Sequence, residues 1–436
     1  MAGQLPEEEF DNGKSGYSCG MRDRELYARI LGLVDPWGVT EVELRPEERE
    51  VLVFVARSVD SEARCPRCQA VCPGYDTNER RWRHLDTCQY RTILVGQIPR
   101  IECKEHGVQQ VAVPWAEPGS RFTALFESLV IDWLHEASFS AVARQLQLSW
   151  AQVDRIQARA VLRGLVRRNP KALKAIGVDE TSSRRGHNYL TIVSDAEAQT
   201  VEYVAEGRSR EEIDRFYKGL GTEGCASIES VAMDMWQPYI ESTRAHVPEA
   251  DAKIVFDKFH IAKHLGDAVD KTRRKENREL IAANDDRLKG TKYHWLRNSA
   301  NMTREERRDF AALRDSSLRT ARAWAIRDAA MKLWGYTRRG WAERMWKKWL
   351  SWAHRSKLEP IKRVARMIVS HWDGVMNAVL TGRTNAGAEG LNAKIQKLKK
   401  DACGYRNIRR FIRAIYFRLG GLDLYPNTAE IAHSKV

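Results

Sequence analysis

AIGVDE (175–180), YLTIVSD (189–195), TVEYVAE (200–206), IESVAMDM (228–235) and KIVF (253–256) decide the fold. Each is a short run rich in Val, Ile, Tyr and Thr between turn-forming residues, the pattern of a strand. The first three follow one another too closely for a crossover, which suits antiparallel hairpin partners. Between the third and fourth, SREEIDRFYKGL (209–220) has helical spacing, with Ser209 and Glu212 as a capping box. Pro238–His246, between the fourth and fifth, opens on a proline as helices do. The predicted order is β-β-β-α-β-α-β.

Three antiparallel strands followed by parallel additions through helices is the RNase H-like order, part of which other α/β domains share. In it the first and fourth strands are neighbours, so Asp179 of GVDE and Asp234 of AMDMW stand side by side at one sheet edge. Adjacent carboxylates repel unless a cation neutralises them, and magnesium takes carboxylate oxygens. A third acid is offered by Glu389 in TNAGAEGLNAKIQKLKK (384–400), a predicted helix with Asn385, Glu389, Asn392 and Gln396 on a polar face and Leu391, Ile395 and Leu398 on an apolar one. Three such acids can hold two ions about 4 Å apart, which activate a water or sugar hydroxyl and stabilise the leaving oxygen without a His or Lys base. Singly, an Asp at a strand end is a turn former; the set argues for a metal site. Asp257 and His260, in DKFH after the fifth strand, are supporting candidates, Asp257 alternatively capping a strand end.

From about Ile261 to Arg383 strand signals vanish and the period is helical, and eight of the fourteen Trp residues fall here. Trp341, Met345, Trp349 and Trp352 have helical spacing, read as a buried stripe rather than a base-stacking platform. KTRRKENR (271–278) is a DNA-facing helix or a solvated face.

Upstream, VTEVEL and REVLVFVAR (39–57) flank the turn RPEE and read as a hairpin. Cys65 and Cys68 form a C-x-x-C knuckle, and Cys103 with His106 repeats the same gap 35 positions later. Paired knuckles supply the tetrahedral set that structural zinc requires, with Cys72 and Cys88 as competitors for a place. In ERRWRHLDT (79–87), Arg81 and Arg83 flank Trp82 as phosphate contacts or as a solvated basic edge. Phe126, Leu129, Val130, Trp133 and Leu134 mark one helix, Phe139–Leu146 a second, and a capping box of Ser149 and Gln152 opens a third to about Ala160. That is a helix-turn-helix, with Val153 and Ile156 inward and Gln152, Arg155, Gln157 and Arg159 outward to read bases. A basic linker (Arg163, Arg167, Arg168, Lys171, Lys174), broken at Asn169-Pro170, follows.

The 436 residues carry 72 Lys+Arg against 58 Asp+Glu, a net charge of +14, and are 43% hydrophobic, which excludes wholesale disorder and points to several domains and a polyanionic partner. Eight cysteines, four of them within 65–88, are too sparse for a secreted disulfide scaffold. The acidic start MAGQLPEEEFDN lacks an export signal, and no run approaches the ~20 apolar residues of a membrane span, so a cytoplasmic, nucleoid-associated protein without membrane partners is expected.

The motifs LGLVDPWGVTEVEL, CPRC, WRHLD, CKEHG, GVDE, AMDMWQPYI, FDKFH, TNAGAEGLNAKIQ and ACGYRNIRRF together resemble the bacterial insertion-sequence transposases of the ISL3 type, of the DDE class, over nearly the whole chain. The resemblance implies a catalytic triad of Asp179, Asp234 and Glu389 holding two magnesium ions, for which manganese can substitute, and structural zinc on Cys65, Cys68, Cys103 and His106. It also implies double-stranded DNA partners, the element's terminal inverted repeats and a target, and a homodimer or larger assembly on DNA. The expected architecture is multidomain α+β: a zinc-binding β module (1–120), a helix-turn-helix (121–168), an RNase H-like core (169–260), an all-α insertion (261–383) and the core's last helices with the Glu (384–436). Two rival readings are a non-catalytic regulator derived from a transposase, and an RNase H-like nuclease or resolvase without strand transfer.

Overall fold

A computed structural model describes residues 22–427 except 170, 185, 187 and 298–301, so the acidic start and Pro170 lie outside the described residues. The chain divides into two compact units, one ending at Val166 and rejoined from Asp423, the other Arg167–Leu422. No described helix is long and apolar enough to cross a membrane.

The first unit opens with α1 (Asp23–Ile30) and strands β1 (Trp37–Arg45), β2 (Glu50–Arg57), β3 (Gly74–Arg83), β4 (Arg91–Cys103) and β5 (Gly107–Gln110). The sheet order is β1-β2-β4-β3, with β5 also on β4. The expected hairpin is present, Val42 facing Val53. The alternating apolar residues of β2 and β4 (Val51, Val53, Val55, Leu94, Ile98) bury one face of the sheet beneath three tryptophans. Trp115 meets Trp37 and Trp82 edge-on, at 5.0 and 5.4 Å between ring centres. Burying such a ring removes roughly 150–250 Å² from water, about 4–6 kcal/mol each.

Helices α2 (Ala124–Glu136), α3 (Phe139–Gln145) and α4 (Trp150–Arg167) follow. Thr123 and Ser138 cap the first two, and Ser149 and Gln152 form the expected reciprocal box at the third, with bonds of 3.2 and 2.7 Å. Instead of ending near Ala160, α4 runs seven residues further, to Arg167. Arg163, expected in a linker, is buried because two acids claim it: its Nε donates to Glu117 (2.7 Å) and its guanidinium also meets Glu127 (3.2 Å). WRHLD is a brace within this unit. Trp82 is core, neutral His84 contacts Thr123 Oγ1 at 2.9 Å, and the backbone of Arg83 bridges to that of Phe122.

In the second unit β6 (Ala175–Ser182), β7 (Tyr189–Asp195) and β8 (Thr200–Glu206) are antiparallel neighbours; α5 (Arg210–Ser227), β9 (Ser230–Met233), α6 (Gln237–His246), the short α7 (Ala250–Lys253) and β10 (Ile254–Phe256) follow. The sheet order is β10-β9-β6-β7-β8, with β9 parallel to β6 and β10 parallel to β9, as the sequence order predicts. Ser209 is the N-cap of α5 but makes no capping bond, and Glu212 pairs with Arg215 (3.0 Å).

After β10 every described element is helical: α8 (Lys258–Ala282), α9 (Lys292–Leu296), α10 (Arg304–Arg314), α11 (Arg319–Lys332), α12 (Arg339–Arg355), α13 (Glu359–Ser370), α14 (Trp372–Thr381), α15 (Ala386–Asp401) and α16 (Ile408–Leu419). One core joins the sheet (Ile176, Val178, Val193) to the helices through α14. The opposite face (Leu190, Ile192, Val204) packs on Leu391, Ile395, Phe411 and Ile415 of α15 and α16. In the KTRRKENR run Arg273 and Arg274 pair with Asp270, and buried Glu276 accepts from the backbone N–H groups of Arg319 and Thr320, capping α11.

The tryptophan stripe has a different phase from the one expected. Trp349 is buried, but Trp341 and Trp352 are 53% and 40% exposed, and the inward line is Ala342, Trp346, Trp349, Leu350 and Ala353. Trp346 is wedged edge-on at 5.6 Å against both Trp334 and Trp349, and Trp349 Nε1 donates to the Ile326 carbonyl (2.8 Å).

Glu127, 1% exposed, takes bonds from Ser120, Arg159 and Arg163. Removing one partner of a buried ion network strands the others. Glu127→Ala is therefore expected to cost about 3 kcal/mol in urea denaturation, with Glu127→Gln recovering part of the loss.

Candidate metal and nucleic-acid sites

The zinc knuckles sit on the turn after β2 and on the β4–β5 turn. Cys65, Cys68, Cys103 and His106 place one donor atom each within 4.8 Å of all the others, and no other His, Cys, Asp or Glu group among the described residues is this tight. The edges Cys65 Sγ–His106 Nδ1 (3.7 Å), Cys68 Sγ–Cys103 Sγ (3.7 Å) and Cys103 Sγ–His106 Nδ1 (3.6 Å) are close to those of a zinc tetrahedron, roughly 3.5–3.8 Å for Zn–S near 2.3 Å and Zn–N near 2.0 Å. Backbone N–H groups of Glu105, then His106, bring the Cys103 thiol down to about 7, which favours the ligating thiolate. Cys72 Sγ instead donates to the Ala70 carbonyl, and Cys88 lies on an exposed turn outside the set.

The presumed base-reading residues divide. Arg155 is exposed on α4, and Gln152 is engaged in the cap. Gln157 and Arg159 correct the outward assignment. Val153, Ile156, Gln157 and Ala160 form the i, i+3, i+4, i+7 buried line, leaving Gln157 only 4% exposed, and Arg159 is drawn in to Glu127. Arg81 is exposed and paired with Glu79 at 3.1 Å. Arg83 is not a solvated phosphate contact: its side chain is 11% exposed, paired with Asp86 and stacked 5.2 Å from the Phe126 ring.

In the second sheet Val178 of β6 pairs with Met233, the last residue of the parallel neighbour β9, so Asp179 and Asp234 are the next residues in sequence after that pair. Both line one pocket with Glu180, Trp236, Tyr239 and His260. Burial first, and then the charge of Asp234, push the Asp179 carboxyl up to about 6. His260 Nε2 lies 2.5 Å from Asp234 Oδ1, and that contact raises the imidazole pKa. Helix α15 reaches β6 from across the chain: Asn392 Nδ2 donates to Asp179 Oδ2 (2.5 Å) and the Glu180 carbonyl (3.3 Å), and Gln396 donates to Thr181 Oγ1. Gly177 permits this approach, since a Cβ there would come within 3.0 Å of Ala388 and Asn385.

Glu389 stands half-buried on the same helix, outside the pocket lining, its pKa raised by burial and then by Asp257 and Asp234. Asp257 is 4% exposed and caps α8, accepting from Phe259 N (2.9 Å). The donors at this edge are hard oxygens, and Asn392 Oδ1 is buried without a hydrogen-bond partner, features that suit magnesium. The sequence reading missed Arg208. Its guanidinium lies 4.5 Å from the Tyr189 ring and 4.6 Å from the Trp236 ring, and 3.3 Å from Glu180. The aromatic next to the DM dipeptide was its only sequence signal.

A family model described as a transposase matches residues 176–415, more than half of the chain. The chain belongs to the ISL3 transposase family. Models of the family's helix-turn-helix (111–161) and of the zinc finger of IS204/IS1001/IS1096/IS1165 transposases (61–106) match the first unit. This transposase is 28% identical to the IS1001 transposase of Bordetella parapertussis over 91% of the chain and 98% of the relative. It is 26% identical to the IS1557 transposase of Mycobacterium tuberculosis over 92% and 96%. The four zinc-binding residues fall in or at the end of the zinc-finger match, and the transposase match contains both aspartates and Glu389.

Purified wild-type protein is expected to hold one zinc per chain, and Cys103→Ser less than about a tenth of that, by metal analysis after gel filtration. An acid whose folded pKa (about 6) lies above its ordinary value (3.8) binds protons more tightly when folded, so the contribution of Asp179 favours folding below about pH 4 and opposes it as pH rises through about 6. Asp179→Asn should therefore stabilise the magnesium-free protein by about 3 kcal/mol at pH 8 and by no more than about 0.5 kcal/mol near pH 4, in denaturation with zinc retained.

Proposed function

We propose that this transposase binds the terminal inverted repeats of its own insertion sequence and carries out metal-dependent cleavage and strand transfer, with Asp179, Asp234 and Glu389 as the catalytic acids. One observation carries the reading: two carboxylates at adjacent positions of parallel β6 and β9, in a shared pocket, with a helix bearing a third acid bonded to the first through Asn392. Divalent ions bound by the three acids supply an activated nucleophile and charge stabilisation at the leaving oxygen. Asn392 and the Glu180 amide orient the Asp179 carboxylate, each bonding one of its oxygens. His260 Nε2 holds the Asp234 carboxylate, a contact that raises the imidazole pKa. Asp257 serves as the cap that fixes α8, and so His260, at the pocket rim.

Affinity for ends comes from Lys and Arg on phosphates, with Arg155 as the exposed side chain best placed on α4 to read a base. Two ends must be processed together, which calls for a homodimer or larger assembly on DNA.

Asp234→Asn and Glu389→Gln are each expected to lower cleavage of end-bearing duplex in magnesium by about a thousandfold or more, about 4 kcal/mol of barrier, with end binding unchanged. Normal cleavage by either variant would remove that acid from the triad. Labelled ends incubated with a plasmid should yield joined product; cut ends without joining would identify a nuclease instead.

A further inference from the structure

The five exposed residues Trp341, Arg344, Lys348, Trp352 and Arg355 follow one another on α12 at steps of 3, 4, 4 and 3. At 3.6 residues per turn they fall within an arc of about 80°, opposite the buried line of Trp346, Trp349 and Leu350. The arc contains no acid. The one carboxylate of α12, Glu343, lies on another face and pairs with Arg339 and Lys347. Among the described residues neither Arg344 nor Lys348 has an ion-pair partner, and the Arg344 guanidinium lies 4.9 Å from the centre of the Trp341 ring. Trp341 and Trp352 are 53% and 40% exposed, so these indoles contribute little to the core that the other tryptophans of the helix build.

We propose that this stripe binds a short unpaired DNA segment, its bases stacked on the two indoles and its phosphates on the intervening cations. Duplex DNA offers exposed indoles no free base faces, because its bases are already stacked on one another. Exposed indoles alternating with unpaired cations match the requirements of a single strand, whose bases have free faces. Eleven residues of helix separate the two rings by about 16 Å along the axis, a span of a few nucleotides. The charge favours a polyanion over an apolar protein surface. The proposal adds a second DNA contact in the helical segment and is independent of which acids cut.

Fluorescence anisotropy of the full-length protein, without added magnesium, tests it with a labelled oligothymidylate and with a duplex carrying the element's end. Trp341→Ala with Trp352→Ala should weaken oligothymidylate binding about tenfold or more while changing duplex binding less than twofold. Phe at both positions should recover part of the loss, and Arg344→Glu with Lys348→Glu should flatten the salt dependence for the single strand. Unchanged oligothymidylate binding in the double-Ala variant overturns the proposal, as does an equal loss for both DNAs. If that variant instead turns a self-associating protein monomeric in sedimentation with single-strand binding intact, the face is an interface between copies. Tighter binding of oligouridylate than of oligothymidylate overturns the choice of DNA. Because binding is read without cleavage, a failure here leaves the assignment of the acids standing, and the converse also holds.

Discussion

The parallel pairing of β6 with β9 is the constraint on which the candidate site depends. Val178 opposite Met233 commits the next residue of each strand, an aspartate in both cases, to one sheet edge. Burial there disfavours two bare charges, and the chain offsets this locally, with Asn392 and a backbone amide on one carboxylate and His260 on the other. The Asp179 carboxyl, raised to about 6, therefore favours folding at acid pH and opposes it as the pH rises through about 6.

The sheet can hold this register because both faces are covered. One face continues into the core of the helical segment, and the other is sealed by α15 and α16. Gly177, two residues before Asp179, is where strand and helix approach most closely. The polar side of α15 fastens that helix to β6, so Asn392 and Gln396 bond the strand that carries an acid.

Much of this was legible in the sequence because it is local. The five strands declare themselves by composition, the knuckles by spacing, and the Ser149–Gln152 box by an offset of three. Most departures from the reading occur where a distant residue decides. Gln157, four residues after Val153, is inward by the helix's own spacing, whereas Arg159 lies at the flank of that face and Glu127, about 30 positions earlier, draws it inward and also meets Arg163. Trp341, Trp346, Trp349 and Trp352 give two overlapping periodicities, and only the contacts of Trp346 and Trp349 with Trp334 and Ile326 select between them. The Ser209–Glu212 pair satisfies the box pattern but forms no box, and Glu212 pairs instead with Arg215, three residues further along the helix. Glu389 was recognisable only as part of a motif. No local signal shows that residue 392 binds residue 179, a separation of 213 positions.

That separation has a consequence during synthesis. Domains fold largely in the order in which the ribosome releases them, at roughly 5–20 residues per second. The zinc knuckles, the three-helix module and both aspartates thus emerge well before α15, and the whole helical segment must be translated between them. A nascent or prematurely terminated product carries the parts that contact nucleic acid but lacks the helix that fastens Asp179 and brings Glu389. Asn392 and Glu389 thus join the chain only after both aspartates and the whole helical segment have been made.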